Sequence, residues 1–372
     1  MIVEIADIFR IHGPDYRAKF GNRMPPSHAR AMRRIEQCRT EALGGQLYFC
    51  SECKEHRYSY HSCKDRHCPK CQNDQAEDWL QQQKNLLLPV PHFMVTFTLP
   101  AELRAIARSH QKTIYNILFR ASAEALQQLA LDPRFVGGRI GMVGVLHTWT
   151  RDLRYHPHVH YIVPGGGLTS DGQWKPSKED FLVHVKPLSI LFRARFRDLL
   201  KKTDLFSQVD KRVWNKDWVV HCKSVGSGLA ALKYLAPYIF RVAISNNRIL
   251  NLEDGKVTFK YRDSATGQIR LSTVSAEEFI RRFLQHILPK RFVKVRYYGL
   301  FACGNRRLLH TVRTSLIKTG SSAKESPLKQ SPELLRCPKC SSALILIRTL
   351  DPKPRSPPQS ATAPASLTLF GR

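Results

Sequence analysis

Two cysteine pairs, Cys50-x-x-Cys53 and Cys68-x-x-Cys71 with fourteen residues between them, constrain this chain more than any other feature. A C-x-x-C turn is tight enough for both thiolates to reach one ion, and two such turns close a tetrahedral zinc site with no open position. The spacing predicts one structural zinc on Cys50, Cys53, Cys68 and Cys71, inside a Cys/His-rich, polar domain over residues 1–85 that is poor in strand signals. Cys38, Cys63, His28, His56, His61 and His67 lie close enough to form a second site or to exchange with the first four, and spacing does not choose among them. Cys337-Pro-Lys-Cys340 is half a site, with Cys303 and His310 as candidate companions. Eight of the ten cysteines crowd into two short stretches, which in a reducing compartment means metal or redox chemistry rather than an extracellular disulfide framework.

Charge narrows the partners. The chain has 59 Lys+Arg against 30 Asp+Glu, a formal +29 over 372 residues, and the usual compensation for such an excess is a polyanion, nucleic acid first. No acidic residue occurs between Glu278 and Glu325, while Lys290, Arg291, Lys294, Arg296, Arg306 and Arg307 accumulate there, interleaved with Phe292, Tyr297, Tyr298 and Phe301. Such a surface would grip phosphates and stack on bases. No apolar run approaches the roughly 18 residues of a membrane span, and the first twenty residues carry scattered charges rather than a secretion signal. The expectation is a DNA-associated cytoplasmic protein with no membrane and no small-molecule substrate.

The rest of the chain mixes strands and helices without strict alternation. Strands are predicted over 92–99, 140–149, 154–163 and 218–225, a helix over 114–129, another from about Gly228, and a three-strand meander over 248–273 turning at Asp254-Gly255. Ser275 with Glu278 is a capping-box start for a helix ending near Leu288. This pattern reads as α+β with an antiparallel sheet, spanning 86–319. The basic, Pro/Ser-rich stretch 320–372 is expected to be a tail, disordered over its last part, Asp351 to Arg372.

His156-Pro-His158-Val-His160 lies inside a predicted strand, where period two puts the imidazoles on one face and lets His158 and His160 converge on one ion. On the helix after Ser227, Leu229, Leu232, Ala236 and Ile239 form one stripe, with Tyr234, Tyr238 and Arg241 roughly opposite. A phenol attacking a phosphodiester needs an in-line oxygen, a cation to absorb phosphate charge, and a grip on the strand. Tyr234 or Tyr238, a divalent ion (Mg²⁺ or Mn²⁺) on His158 and His160, and the basic surface including Arg241 supply these. Two tyrosines allow two successive strand transfers through phosphotyrosine links.

The stretches CRTEALGGQLYFCSEC from Cys38, YHSCKDRHCPKCQ from Tyr60, LHTWTRDLRYHPHVHYIVPGGGL from Leu146, KYLAPYIFRVAISNNRI from Lys233 and VRYYGLFACGNRR from Val295 together resemble the rolling-circle transposases of the insertion-sequence-91 type, the two-tyrosine HUH transposases. The resemblance implies an N-terminal zinc-binding domain and an HUH endonuclease-like antiparallel sheet flanked by helices, with the histidine pair next to the tyrosine helix. It also implies cleavage and rejoining of single-stranded DNA at transposon ends and target, His158 and His160 being metal ligands and Tyr234 and Tyr238 nucleophiles. Two other readings remain open at this point: a non-catalytic zinc-ribbon DNA-binding regulator, and a rolling-circle replication initiator using the same chemistry.

Overall fold

A computed structural model describes residues 3–71, 73–84, 86–240, 243–263, 266–318 and 335–353. In chain order the elements are α1 (Ile5–Phe20), α2 (Pro26–Gln37), β1 (Gly45–Cys50), β2 (Glu55–Tyr60), α3 (Asn73–Lys84), β3 (His92–Thr98), α4 (Arg104–Ser109), α5 (Gln111–Leu131), β4 (Gly141–Trp149) and β5 (Tyr155–Pro164). There follow β6 (Gly166–Leu168), β7 (Trp174–Pro176), α6 (Val185–Leu200), β8 (Val220–Ser224), α7 (Leu229–Phe240), β9 (Ile249–Glu253), β10 (Lys256–Arg262), β11 (Ile269–Ser275), α8 (Ala276–Leu284), β12 (Val295–Gly299), α9 (Arg306–Lys318) and β13 (Ile345–Leu350). The class is α+β, as the sequence pattern indicated.

By packing, the chain divides into two units, one of Met1–Glu36 with Lys64–Leu328 and the other of Gln37–Cys63 with Lys329–Arg372. This grouping differs from the three consecutive segments expected from composition. The physical reason is strand pairing: β1 pairs antiparallel with β2 on one side and with β13, some 300 residues downstream, on the other. The second unit is therefore built from both ends of the sequence. The 1–85 stretch also contains the β1–β2 hairpin that its polar composition concealed. From residue 354 onward the expected tail lies outside the described residues.

The larger unit is organised by an antiparallel five-stranded sheet of order β12-β4-β5-β3-β8. Its central strands β4 and β5 are buried almost throughout because both faces are covered. On one face Phe93, Phe97, Leu146, Val159 and Tyr161 pack with α5 and α6 through Ile114, Leu118, Leu126, Phe192 and Phe196. On the other, Val145 and Ile162 receive Ala231, Leu232, Leu235 and Ala236 of α7, with Leu80 of α3 beside them. Each fully buried Leu or Val in these layers is worth about 1.5–3 kcal/mol, so the sheet fixes where α7 lies. Outside the sheet, β9, β10 and β11 form the predicted meander, and the Ser275 hydroxyl accepts from the Glu278 N–H (3.2 Å) to cap α8.

Candidate active site and metal centres

Strand register decides which histidines meet. Val143 lies opposite Ile162, Val145 opposite His160, and His147 opposite His158, so these six side chains share one face of the sheet. It is the face on which α7 packs. The ring centroids of His147, His158 and His160 are 4.6–5.3 Å apart, and one nitrogen from each ring lies within 4.8 Å of the others. The strand pair thus supplies three converging imidazoles where the sequence suggested two. The third, His147, went unseen because its approach depends on the β4–β5 register. Its one sequence signal is a polar residue in phase with Val143 and Val145 inside an apolar run.

The outer ring nitrogens are held by neighbours. Nδ1–H of His158 donates to the His156 carbonyl at 2.7 Å, and Nδ1 of His160 is 2.8 Å from the Thr96 hydroxyl of β3. In each ring this leaves Nε2 for the cluster, the usual way a second hydrogen bond sets the ligating nitrogen. Burial pushes His147 and His158 well below the ordinary histidine range, with the facing imidazoles adding to it, and pushes His160 down to about 4. All three are neutral at pH 7, the form that binds a cation. The donor set fits a divalent ion. His156 stands apart from the cluster: its Nδ1 accepts from Arg104 at 2.7 Å.

Trp149 stacks on His147 at 5.3 Å between centroids, and the Lys294 ammonium sits 4.9 Å from the Trp149 ring. Burial, with the Arg66 guanidinium nearby, brings that ammonium down to about 7. Lys294 is thus a buried amine beside the histidine face, about half protonated at neutral pH, rather than part of an open surface. Arg296 is also committed within the fold, lying 4.3 Å from the Phe119 ring and 5.3 Å from the Phe292 ring while donating to Asn116. Lys290, Arg291, Arg306 and Arg307 are exposed, the last two opening α9. Arg241 lies outside the described residues.

Tyr234 and Tyr238 both fall on α7. The helix is anchored to the histidine face through Leu232, Leu235 and Ala236, so its buried stripe is broader than predicted. Its start is set by Gly228, whose carbonyl accepts the first helical hydrogen bond from Leu232 at 2.9 Å. Gly228 has φ +75°, and a Cβ there would stand 2.7 Å from Cγ of the buried His92, so no other residue fits without displacement.

The cysteines pair differently from the spacing argument. Cys50 and Cys53 meet Cys337 and Cys340, with sulfur separations of 3.5 Å for Cys50–Cys340 and 3.8 Å for Cys53–Cys337. These four thiols could ligate one tetrahedral ion, and Cys68 and Cys71 are not the pair brought to Cys50 and Cys53. The β1–β13 pairing is the cause, since it brings the distant C-x-x-C onto the hairpin turn. In the same unit the Cys63 N–H donates to Cys38 Sγ at 3.5 Å. Cys68 and Cys71 form a turn in the larger unit, the Cys71 N–H donating to the Cys68 carbonyl at 3.3 Å. His67 uses both ring nitrogens structurally, Nδ1 with Asp65 at 3.0 Å and Nε2 accepting from the Leu288 N–H at 3.1 Å. It is thereby withdrawn from the ligand candidates.

Comparison with known proteins bears on the same regions. Residues 141–307, which include β4, β5 and α7, match the family described as "Putative transposase", and residues 8–99 match the "Transposase zinc-binding domain" of the insertion-sequence-91 type. The chain is 42% identical over 324 residues to a protein of Sinorhizobium fredii named "Putative transposase y4qJ", covering 82% of this chain and 81% of that one. It is 31% identical over 288 residues to the transposase for insertion sequence element IS801 of Pseudomonas savastanoi pv. phaseolicola, covering 72% and 69%. No solved structure matches the chain. Among the described residues no helix is long and apolar enough to cross a membrane. With a zinc-binding region and a histidine-bearing sheet both falling on matched segments, the chain belongs to the insertion-sequence-91-type transposases, enzymes that cleave DNA.

Proposed function

We propose that this transposase nicks and rejoins single-stranded DNA at element ends through a 5′-phosphotyrosine intermediate, driving rolling-circle transposition. The observation that carries the reading is the shared face: the helix bearing Tyr234 and Tyr238 packs on the side of the sheet that holds His147, His158 and His160. The phenolic oxygen of one tyrosine attacks the scissile phosphorus, forming the P–O(Tyr) bond as the P–O3′ bond breaks. The phenol gives up its proton to solvent as it attacks and the departing 3′ oxygen takes one up, so no net proton is consumed. The phosphotyrosine conserves the energy of the phosphodiester, so a later 3′-hydroxyl attacks it, restores a DNA linkage and releases the phenol.

A divalent ion, Mg²⁺ or Mn²⁺, held by His147, His158 and His160 would withdraw charge from the non-bridging phosphate oxygens. The protein's own part is to keep those three rings neutral through burial and to orient His158 and His160 through the His156 carbonyl and Thr96 hydroxyl. Lys294 places a titratable amine beside the site, charged as pH falls below about 7. The exposed Lys290, Arg291, Arg306 and Arg307 provide phosphate contacts that scale affinity with salt but carry no chemistry. A second tyrosine on the same helix lets the first covalent end be retained while the second strand is cut.

The test is incubation with labelled single-stranded end sequences and Mn²⁺ or Mg²⁺. A covalent adduct that disappears in the Tyr234→Phe/Tyr238→Phe double variant supports the reading. An adduct that persists in that variant contradicts it.

A further inference from the structure

In its described residues the smaller unit has almost no core of its own. Among its described residues the buried apolar side chains other than cysteines are Leu47 and Tyr48, while Ile345, Leu346 and Ile347 of β13 are at least half exposed. A three-stranded sheet with so little to bury needs a staple. Four thiols converge where one would act. Cys50 ends β1 and Cys53 lies in the following turn, its N–H donating to Cys50 Sγ at 3.4 Å. Across from them Cys337 and Cys340 sit in a second turn, closed by the Cys337 N–H to the Ser342 carbonyl (2.8 Å) and the Ser341 N–H to the Cys337 carbonyl (2.8 Å).

The sulfur separations across the turns, 3.5 and 3.8 Å, are far beyond the roughly 2.05 Å of a disulfide. They match the edge of about 3.8 Å that a tetrahedron with Zn–S near 2.3 Å requires. All four sulfurs lie within 4.8 Å of one another, and Cys50 and Cys337 are fully buried. N–H···S bonds of the Cys53-to-Cys50 kind stabilise thiolate charge in such turns.

We propose that Cys337 and Cys340, which lie outside the matched zinc-binding segment 8–99, complete a structural zinc site with Cys50 and Cys53. The zinc clips the segment 335–353 onto the β1–β2 hairpin and makes the unit a closed four-thiolate ribbon drawn from both ends of the sequence. This inference is independent of the strand-transfer chemistry.

The experiment uses the full chain. Zinc is counted by inductively coupled plasma mass spectrometry after desalting, in the wild type and in Cys337→Ser/Cys340→Ser. The variant should carry one equivalent less, and Cys337→His/Cys340→His should restore it. In parallel, wild-type protein is stripped with a chelator, oxidised with diamide and digested. The peptides should join Cys50 or Cys53 to Cys337 or Cys340, and prior zinc should suppress the links. Unchanged zinc in the serine variant would overturn the proposal, as would cross-links that join Cys50 and Cys53 to Cys68 and Cys71 instead. Because the cross-linking arm uses the native sequence, a serine variant that folds poorly does not spare the proposal.

Discussion

Gly228→Ala should damage the enzyme through the placement of α7. Two costs are legible. At φ +75° an L-residue pays about 1–2 kcal/mol for the left-handed backbone. The new methyl then stands 2.7 Å from His92 Cγ, where ordinary carbon contacts are about 3.5–4.0 Å, so something must move by roughly 1 Å. His92 is fully buried, with Nδ1–H donating to the Val90 carbonyl at 2.8 Å, and cannot swing away. Overpacking of this kind costs about 1–3 kcal/mol, giving roughly 2–5 kcal/mol in total. Gly226 is the internal control: its φ is +63° but nothing lies within 4 Å of a Cβ there, so Gly226→Ala pays about 1–2 kcal/mol for the backbone alone. Urea unfolding of both variants measures the difference. A displacement near 1 Å of a nucleophile-bearing helix can cost on the order of a hundredfold in rate, so adduct formation should fall at least about tenfold in Gly228→Ala and stay within about twofold in Gly226→Ala. Adding His92→Ala to Gly228→Ala should relieve the clash and produce a favourable coupling energy of about 1 kcal/mol or more. If Gly228→Ala proves as mild as Gly226→Ala in both assays, the argument that this contact sets the helix is wrong.

Other expectations follow from the same geometry. His147→Ala should abolish cleavage as completely as His158→Ala or His160→Ala while DNA affinity, measured by filter binding, changes less than about threefold, because affinity comes from many phosphate contacts; near-normal nicking would remove His147 from the ligand set. Leu235→Ala, cutting a fully buried anchor of α7, should cost about 2–5 kcal/mol of stability, and a loss below 1 kcal/mol would show that the helix is held elsewhere. His286 is fully buried, near Thr148 and the Leu153 carbonyl, and burial lowers it to about 3. Its depressed value means that the unfolded chain takes up the proton first, so its stabilising contribution is complete above about pH 6.5 and is lost as pH falls from there toward 3. Between pH 7 and 5 that amounts to about 2 kcal/mol. His286→Asn should flatten the wild-type stability slope over this window, and parallel slopes would refute the assignment.

How far the sequence could be read depended on whether a contact is local. The run 140–149, the alternation around His158 and His160, the Asp254-Gly255 turn and the Ser275 cap are written within a dozen residues each, and all appear where expected. His147 was hidden because its meeting with His158 requires the β4–β5 register, which no single strand encodes. The cysteine partition was hidden for a stronger version of the same reason. Cys50 and Cys53 have a neighbouring pair at ideal zinc spacing, yet pairing of β1 with β13 delivers another pair from 284 residues or more away. Arg296 shows the same limit from the other side: a basic residue among aromatics reads as a nucleic-acid contact, and the sequence does not reveal that its guanidinium also lies against the rings of Phe119 and Phe292.

The central claim is that a tyrosine of α7 becomes covalently joined to DNA at the histidine face. It is tested most directly by trapping wild-type protein on a single-stranded element-end oligonucleotide with Mn²⁺, digesting the adduct and mapping the modified residue by mass spectrometry. The account predicts a 5′-phosphate on Tyr234 or Tyr238, a free 3′-hydroxyl on the released strand, and no adduct after chelation or in the His147→Ala variant. A modification mapped to any other residue, or a cut strand with no protein attached, would contradict it.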